Sequence, residues 1–349
     1  MRRVSISDVA AGAGVSISTV SAALNDVASA RISAPTRDRI RAVAGHLGYV
    51  PNGLARGLRR RRSGIVGFIG DEVATTPYAV GMILGAQEAL REAGLLMVLM
   101  NSQGDPALEE REIAALRQQQ VEGILYASMY HRPLEPPESL RGVVTVLLDA
   151  ESRDPAVSWV VPHEAAGARA AVGELLAHGH RRIAFLNNDE DIPAARLRLR
   201  GYRAALKQAG IDADPELIRA APPTPEGGYL AARGLLAGPD RPTALFCFRD
   251  LMAAGAYQAA REAGLDIPGD VSIVGYDNMV LVAESLFPGL TTVELPHYEM
   301  GAWAVECLAA QFAGTSIDGD THPLRLSCPL VTRSSVAPVR SSRERLVAP

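Results

Sequence analysis

Three cysteines, Cys247, Cys307 and Cys328, are all that this 349-residue chain has. An odd number without metal-knuckle spacing argues against a disulfide framework and fits a reduced, cytoplasmic protein. Long hydrophobic runs are missing too, since no uninterrupted apolar stretch approaches the ~20 residues that cross a bilayer. Arg2 and Arg3 are followed by no apolar core, so no export signal is expected. No GxGxxG follows a strand-like segment, and there is neither a Walker loop nor a GxSxG elbow. His131, His163, His178, His180, His297 and His322 are scattered, and His178 and His180 follow a helix end, a place for capping rather than catalysis. These absences predict a non-enzyme with no cofactor and no metal.

What the chain does have is the composition of a folded protein, 48% hydrophobic and 21% charged. Its length allows a small head plus one or two α/β units with proper cores. The net charge of −4 hides an asymmetry. Residues 1–62 hold eleven arginines and three aspartates, a balance of +8, while the remainder holds 24 basic and 36 acidic side chains, a balance of −12. A basic head on an acidic body is the footprint of a nucleic-acid reader, because neutralising phosphates supplies most sequence-independent affinity.

The stretch SISDVAAGAGVSISTVSAALN, residues 5–25, reads as two short helices joined by a tight turn. Ser5 and Asp8 make a capping box, and Gly14 supplies a left-handed turn that a Cβ would disfavour. Ser16 caps the second helix with Thr19 in its first turn, Val15, Val20 and Leu24 supply its buried side, and Asn25 stops it. This helix is short, uncharged and rich in small polar residues, so it can enter a major groove and touch base edges with its N-terminal half. A third helix from about Ser33 carries Ile40, Val43, Ala44 and Leu47 at helical spacing to close the core, and Gly48 ends it. Further on, in PNGLARGLRRRRSG, Asn52 can cap a short helix with Leu54 and Leu58 on one face.

From Gly64 the pattern becomes short apolar strands alternating with amphipathic helices, and the cycle restarts after Trp159. That alternation predicts two doubly wound parallel α/β lobes with a cleft between them, where ligands bind beyond the carboxyl ends of the strands. Asp71, Ala127 and Asp149 stand at strand ends of the first lobe, and Asn187, Arg249 and Asp277 at those of the second. Arg196 and Arg198 lie on a nearby helix.

The strings DVA…AGVS…TVS..LN and GYVPNGLARGL resemble the lactose/galactose-repressor family of bacterial transcription regulators, and the resemblance runs on to about Val336. It implies an α/β protein with an N-terminal all-α helix-turn-helix head at 1–48, a hinge helix and linker at 49–62, and a periplasmic-binding-protein-like effector and dimerisation domain at 63–338. Lobe 1 is expected at about 64–160 plus 290–322, lobe 2 at about 161–289 plus 323–338, and a disordered tail without a heptad at 339–349.

By the same resemblance Ile17, Ser18 and Ala22 match base-reading positions, while Ser16, Thr19, Ser21 and Asn25 are phosphate contacts or caps. Asn52, Ala55, Arg56 and Leu58 belong to the hinge, where Leu58 matches the leucine wedged into the minor groove. The effector positions are Tyr78, Asp149, Arg198 and Asp277, with Arg196 and Arg249 added by their place at the cleft. Carboxylates suit paired hydroxyls, and arginine forks suit ring oxygens or phosphate. Arg249 stands where the family usually has Asn, with Asp250 kept as helix cap. It either meets an acidic ligand or pairs with Asp277 or Asp250. The implied partners are a pseudo-palindromic double-stranded DNA operator, a small sugar-like effector and a second copy of the chain, with no membrane. The implied function is a dimeric repressor of carbohydrate-related genes that a small inducer releases.

Overall fold

The computed structural model describes residues 4–25, 30–49, 63–76, 79–314 and 324–339. Its contacts divide the chain into two units, Met1–Ser63 and Gly64–Pro349.

Among the described residues the first unit holds three helices, α1 (Ile6–Ala13), α2 (Ile17–Leu24) and α3 (Ala34–Leu47). Both halves of the capping box form, with the Asp8 amide donating to Ser5 Oγ at 3.4 Å and the Ser5 amide to Asp8 Oδ2 at 2.8 Å. Gly14 takes a left-handed φ of 66°, and the chain turns by 100° between α1 and α2. Such a crossing is the helix-turn-helix geometry. Ser16 Oγ accepts from the Thr19 amide at 3.2 Å, which caps α2. Val9, Val20, Ala23 and Ile40 are fully buried between the helices. Leu47 departs from its expected role and is 36% exposed, because those four side chains with Ala13 and Ala44 already fill the small core.

The second unit begins with β1 (Ile65–Gly70), α4 (Val80–Glu92), β2 (Leu96–Asn101), α5 (Pro106–Gln118), β3 (Gly123–Pro133), β4 (Val144–Glu151) and β5 (Ser158–Pro162). A second run follows with α6 (Glu164–Ala177), β6 (Ile183–Asn188), α7 (Pro193–Gln208), β7 (Ile218–Ala221), α8 (Pro225–Leu236) and β8 (Ala244–Cys247). It continues through α9 (Asp250–Glu262), β9 (Ser272–Asp277), the single turn α10 (Val280–Ala283) and β10 (Thr291–Glu294). The last described elements are α11 (His297–Ala313), β11 (Leu324–Leu326) and β12 (Leu330–Val331). One sheet has the order β11-β5-β4-β3-β1-β2 and is parallel throughout; the other has the order β12-β10-β9-β8-β6-β7 and only β12 is antiparallel.

The point where the chain returns to lobe 1 differs from that read in the sequence. The first crossing follows Pro162, since β5 pairs with β4 through Val160 and with β11 through Pro162. Thr291–Glu294 stays in the second sheet, held by its register with β9, so the return to lobe 1 comes only with α11, which packs on α4. The segment RLSCPLVTRSSV holds two strands, β11 beside β5 and β12 beside β10. Three passages therefore join the lobes, the arrangement of a hinged cleft. Of the tail expected at 339–349, only Val339 is among the described residues. α4 and α11 meet backbone to backbone, because a Cβ on Gly85 would overlap the Tyr298 carbonyl and one on Gly301 the Met82 carbonyl.

Candidate functional site

The cleft is built at the carboxyl ends of β3 and β4 by a bulge. Register jumps from Ala127 opposite Leu148 to Arg132 opposite Ala150, which leaves residues 128–131 facing Asp149 alone. Asp71, at the end of β1, pins that bulge: its carboxylate accepts from the Met129 amide at 2.8 Å and from Arg132 Nη2 at 2.9 Å. The strand thus continues past Ala127, the end read in the sequence, to Pro133, and the bulge turns Met129, Tyr130 and His131 into the cleft. Asp149 itself is left-handed, with φ at 54°. A non-glycine residue held there is a place where structure tolerates strain for a reason.

From the second lobe come Arg198 on α7, Glu164 on α6, Arg249 beyond β8 and Asp277 at the end of β9. Arg198 is 3% exposed. Its Nε and Nη2 donate to the two oxygens of Glu164 at 2.7 and 3.2 Å, and Nη1 donates to the Phe248 carbonyl and to Asp277 Oδ1 at 3.4 Å. The guanidinium also lies 3.6 Å from the Tyr276 ring centroid and 4.4 Å from that of Phe248. Arg249 Nε stands 3.4 Å from Asp277 Oδ2, the salt-bridged arrangement of the two open to it. Asp250 does not cap its own helix; Oδ2 accepts from the Met279 amide at 2.7 Å and Oδ1 from Thr292 Oγ1 at 2.6 Å, so it ties α9 to the neighbouring strand ends.

Electrostatics follow burial. Desolvation pushes the Asp149 carboxyl up to about 7, although His131 and Arg198 pull it down. Desolvation likewise raises Asp277, against the opposing arginines 198 and 249. For Arg198 burial works against the charge, but Glu164 and Asp277 outweigh it and the guanidinium stays protonated. Asp149 Oδ1 is buried without a hydrogen-bond partner.

Asp149, Arg198, Arg249 and Asp277 thus share one cavity of about 350 Å³. Arg196 does not join them: its side chain is 55% exposed, pairs with Asp191, and borders an adjoining cavity of about 510 Å³ with Arg200 and Arg325. Tyr78 lies outside the described residues. Glu164 and His131 also line the smaller cavity, and sequence reasoning singled out neither for it. A carboxylate 34 residues from its arginine has no spacing signature. In the head, Ser16, Ile17 and Ser18 are exposed and Ala22 half-buried, while Ser21 is buried at 7% and its carbonyl accepts from the Asn25 amide group at 2.7 Å. Ser21 therefore belongs to the helix end rather than to an outer contact face. Asn52, Ala55, Arg56 and Leu58 lie outside the described residues.

Residues 5–52 match the model of the bacterial regulatory proteins, lacI family, and residues 172–336 match the periplasmic binding protein-like domain. The ribose operon repressor of Escherichia coli (strain K12) is 34% identical over 303 residues, 86% of this chain and 91% of that one. The chain belongs to the lacI family. The HTH-type transcriptional regulator CelR of Thermobifida fusca is 35% identical over 334 residues, covering 93% and 95% of the two chains. The crystal structure of the lac repressor dimer bound to operator and the anti-inducer ONPF superposes with a TM-score of 0.80 at 26% identity, covering 96% of this chain and all of that one. As a lacI-family transcription regulator the protein joins a DNA-binding head to an effector-binding body. Among the described residues no group of three or more His, Cys, Asp or Glu is placed to hold a metal ion, and no single helix is long and apolar enough to cross a membrane.

Proposed function

We propose that the protein is a dimeric repressor of carbohydrate-related genes, released from a pseudo-palindromic operator in the cytoplasm by a sugar-class effector bound in the 350 Å³ cleft. The observation that carries the effector assignment is the buried, unpartnered Asp149 Oδ1 beside Arg198, Arg249 and Asp277. An ionised carboxylate only accepts, so its occupant must donate, as a sugar hydroxyl does, while guanidinium groups suit ring oxygens. Asp149 approaches from one lobe and Arg198, Arg249 and Asp277 from the other. A ligand that touches both favours closure, and it shifts DNA binding only by its differential affinity for the two states. The ribose operon repressor among the relatives and the CelR–cellobiose complex among the solved structures support the sugar class.

The dimer is supported by an uncovered apolar surface: Val80 and Leu84 on α4, and Leu96 and Leu99 on the edge strand β2, are 40–70% exposed. An exposed apolar edge strand asks for a cover, and a second copy supplies it with two-fold symmetry. Two heads then read two half-sites, with Ile17 and Ala22 making apolar contacts to base edges, Ser16, Ser18, Thr19 and Asn25 positioning the helix, and the hinge residues 52–58 entering the minor groove.

A thermal-shift panel of D-ribose, cellobiose, gluconate, glucose 6-phosphate and hypoxanthine tests the effector reading. A ligand at a hundredfold excess over its dissociation constant stabilises the folded state by about 2.7 kcal/mol, enough to register. Stabilisation by a neutral sugar is the expected result. Stabilisation by the acid or phosphate alone would make Arg249 a ligand contact, and no stabilisation by any of them would overturn the carbohydrate reading.

A further inference from the structure

We propose that His131 is a specificity-determining contact for the effector, paired with Asp149 as donor and acceptor on the first-lobe wall, and that effector affinity is proton-linked through the two. The inference rests on the effector reading of the cleft. Asp149 Oδ1 and His131 Nδ1 are buried there without a hydrogen-bond partner, and both residues line the 350 Å³ cavity. Buried polar atoms in native proteins are satisfied, so a pair left open on one cavity wall marks where a bound molecule completes the bonds.

The other ring nitrogen fixes the chemistry. His131 Nε2 lies 3.1 Å from Glu151 Oε1, and a carboxylate only accepts, so Nε2 carries its proton in both charge states. Nδ1 is then a donor when the ring is charged and an acceptor when it is neutral. The surrounding charges come from several elements: Glu151 and Asp149 on β4, Arg325 on β11 holding Glu151 at 2.8 Å, Glu164 on α6, Arg198 on α7, and Asp71 with Arg132 beneath the bulge. Glu190, Arg249, Asp277 and His297 line the same cavity. Burial of the ring alone would lower its pKa, but Glu151, Asp149 and Glu164 outweigh burial and raise it. Asp149 is raised to about 7, and His131 is raised above its ordinary value.

The ligand chemistry that fits is two adjacent oxygens of a polyol, one accepting from Nδ1–H and its hydroxyl neighbour donating to Asp149. A donor imidazolium and an acceptor carboxylate coexist only in a window. Affinity is therefore bell-shaped in pH, with an acid limb from protonation of Asp149 and an alkaline limb from loss of the Nδ1 proton.

The test takes whichever compound of the panel stabilises the full-length protein and measures its dissociation constant by calorimetry from about pH 5.5 to about pH 8.5. His131→Asn sets an amide where Nδ1 stood and cannot titrate, so its alkaline limb disappears. His131→Phe removes the donor, and a lost charge-assisted bond weakens binding about ten- to hundredfold. A flat wild-type curve overturns the proposal, as does a folded His131→Phe protein that binds within about twofold of wild type. Should His131→Phe not fold, the wild-type curve and His131→Asn decide. If no compound binds, the effector reading falls and this inference with it; unchanged binding in the folded variant removes this inference alone.

Discussion

Replacing Glu164 by glutamine removes one charge from the most buried ion pair of the body and changes almost no volume. The pair is bidentate, 2.7 and 3.2 Å, between side chains that are 2% and 4% exposed. Removing one partner of such a pair costs about 3–5 kcal/mol, because the remaining charge is left buried and uncompensated. Glutamine still accepts one of the two bonds, and Arg198 keeps the Phe248 carbonyl, Asp277 and the Tyr276 ring, so the lower end, about 3 kcal/mol, is expected. For a body of this size about 2 °C of melting temperature is lost per kcal/mol, which gives a drop of about 6 °C by differential scanning fluorimetry. Arg198→Met should cost a similar amount, and the double variant less than the two together, since each single change already breaks the shared pair. A Glu164→Gln protein that melts within about 1 °C of wild type would refute the assignment of Glu164 as the group that holds Arg198 charged and in place.

Asp149→Asn should stabilise the unliganded body while abolishing effector binding. A carboxyl raised to about 7 binds its proton more tightly folded than unfolded, so its stabilising effect is present at acid pH and is lost as pH rises through that value. The variant should therefore gain on wild type between about pH 5 and pH 8, by about 1–3 kcal/mol in urea melts; equal stability throughout would contradict the burial argument. Gly85→Ala should cost more than about 2 kcal/mol, since neither the Tyr298 backbone nor α4 can yield. Gly45→Ala, with open space around it in α3, should stabilise the head by about 0.5–1 kcal/mol; chemical denaturation of the two variants reads both signs. Leu84→Asp, with Leu84 49% exposed on α4, should give a monomer in analytical ultracentrifugation and weaken operator binding. A Leu84→Asp protein that stays dimeric would place the interface elsewhere.

The head was legible because its signals are local. Ser5, Asp8, Gly14, Ser16 and Gly48 act on their own helix ends, and those contacts form as read. The two-lobed α/β body was legible too, because buried parallel strands are short apolar runs that alternate with amphipathic helices whatever they pair with. Strand-end position likewise put Asp149, Arg249 and Asp277 at the cleft, with Arg198 facing them from α7. What only tertiary structure decided is which long-range partner each polar group finds. The bulge in β3 exists because Asp71, some 60 residues away, bonds Met129 and Arg132, and that bulge alone brings His131 beside Asp149. Asp250 is drawn from its own helix start to Met279 and Thr292, and Leu47 is left outside a core that smaller side chains have filled. Sequence spacing fixes the period of an element and the chemistry of its ends. Register, burial and the charge state of a buried carboxylate depend on groups that only the folded chain brings within a few ångströms.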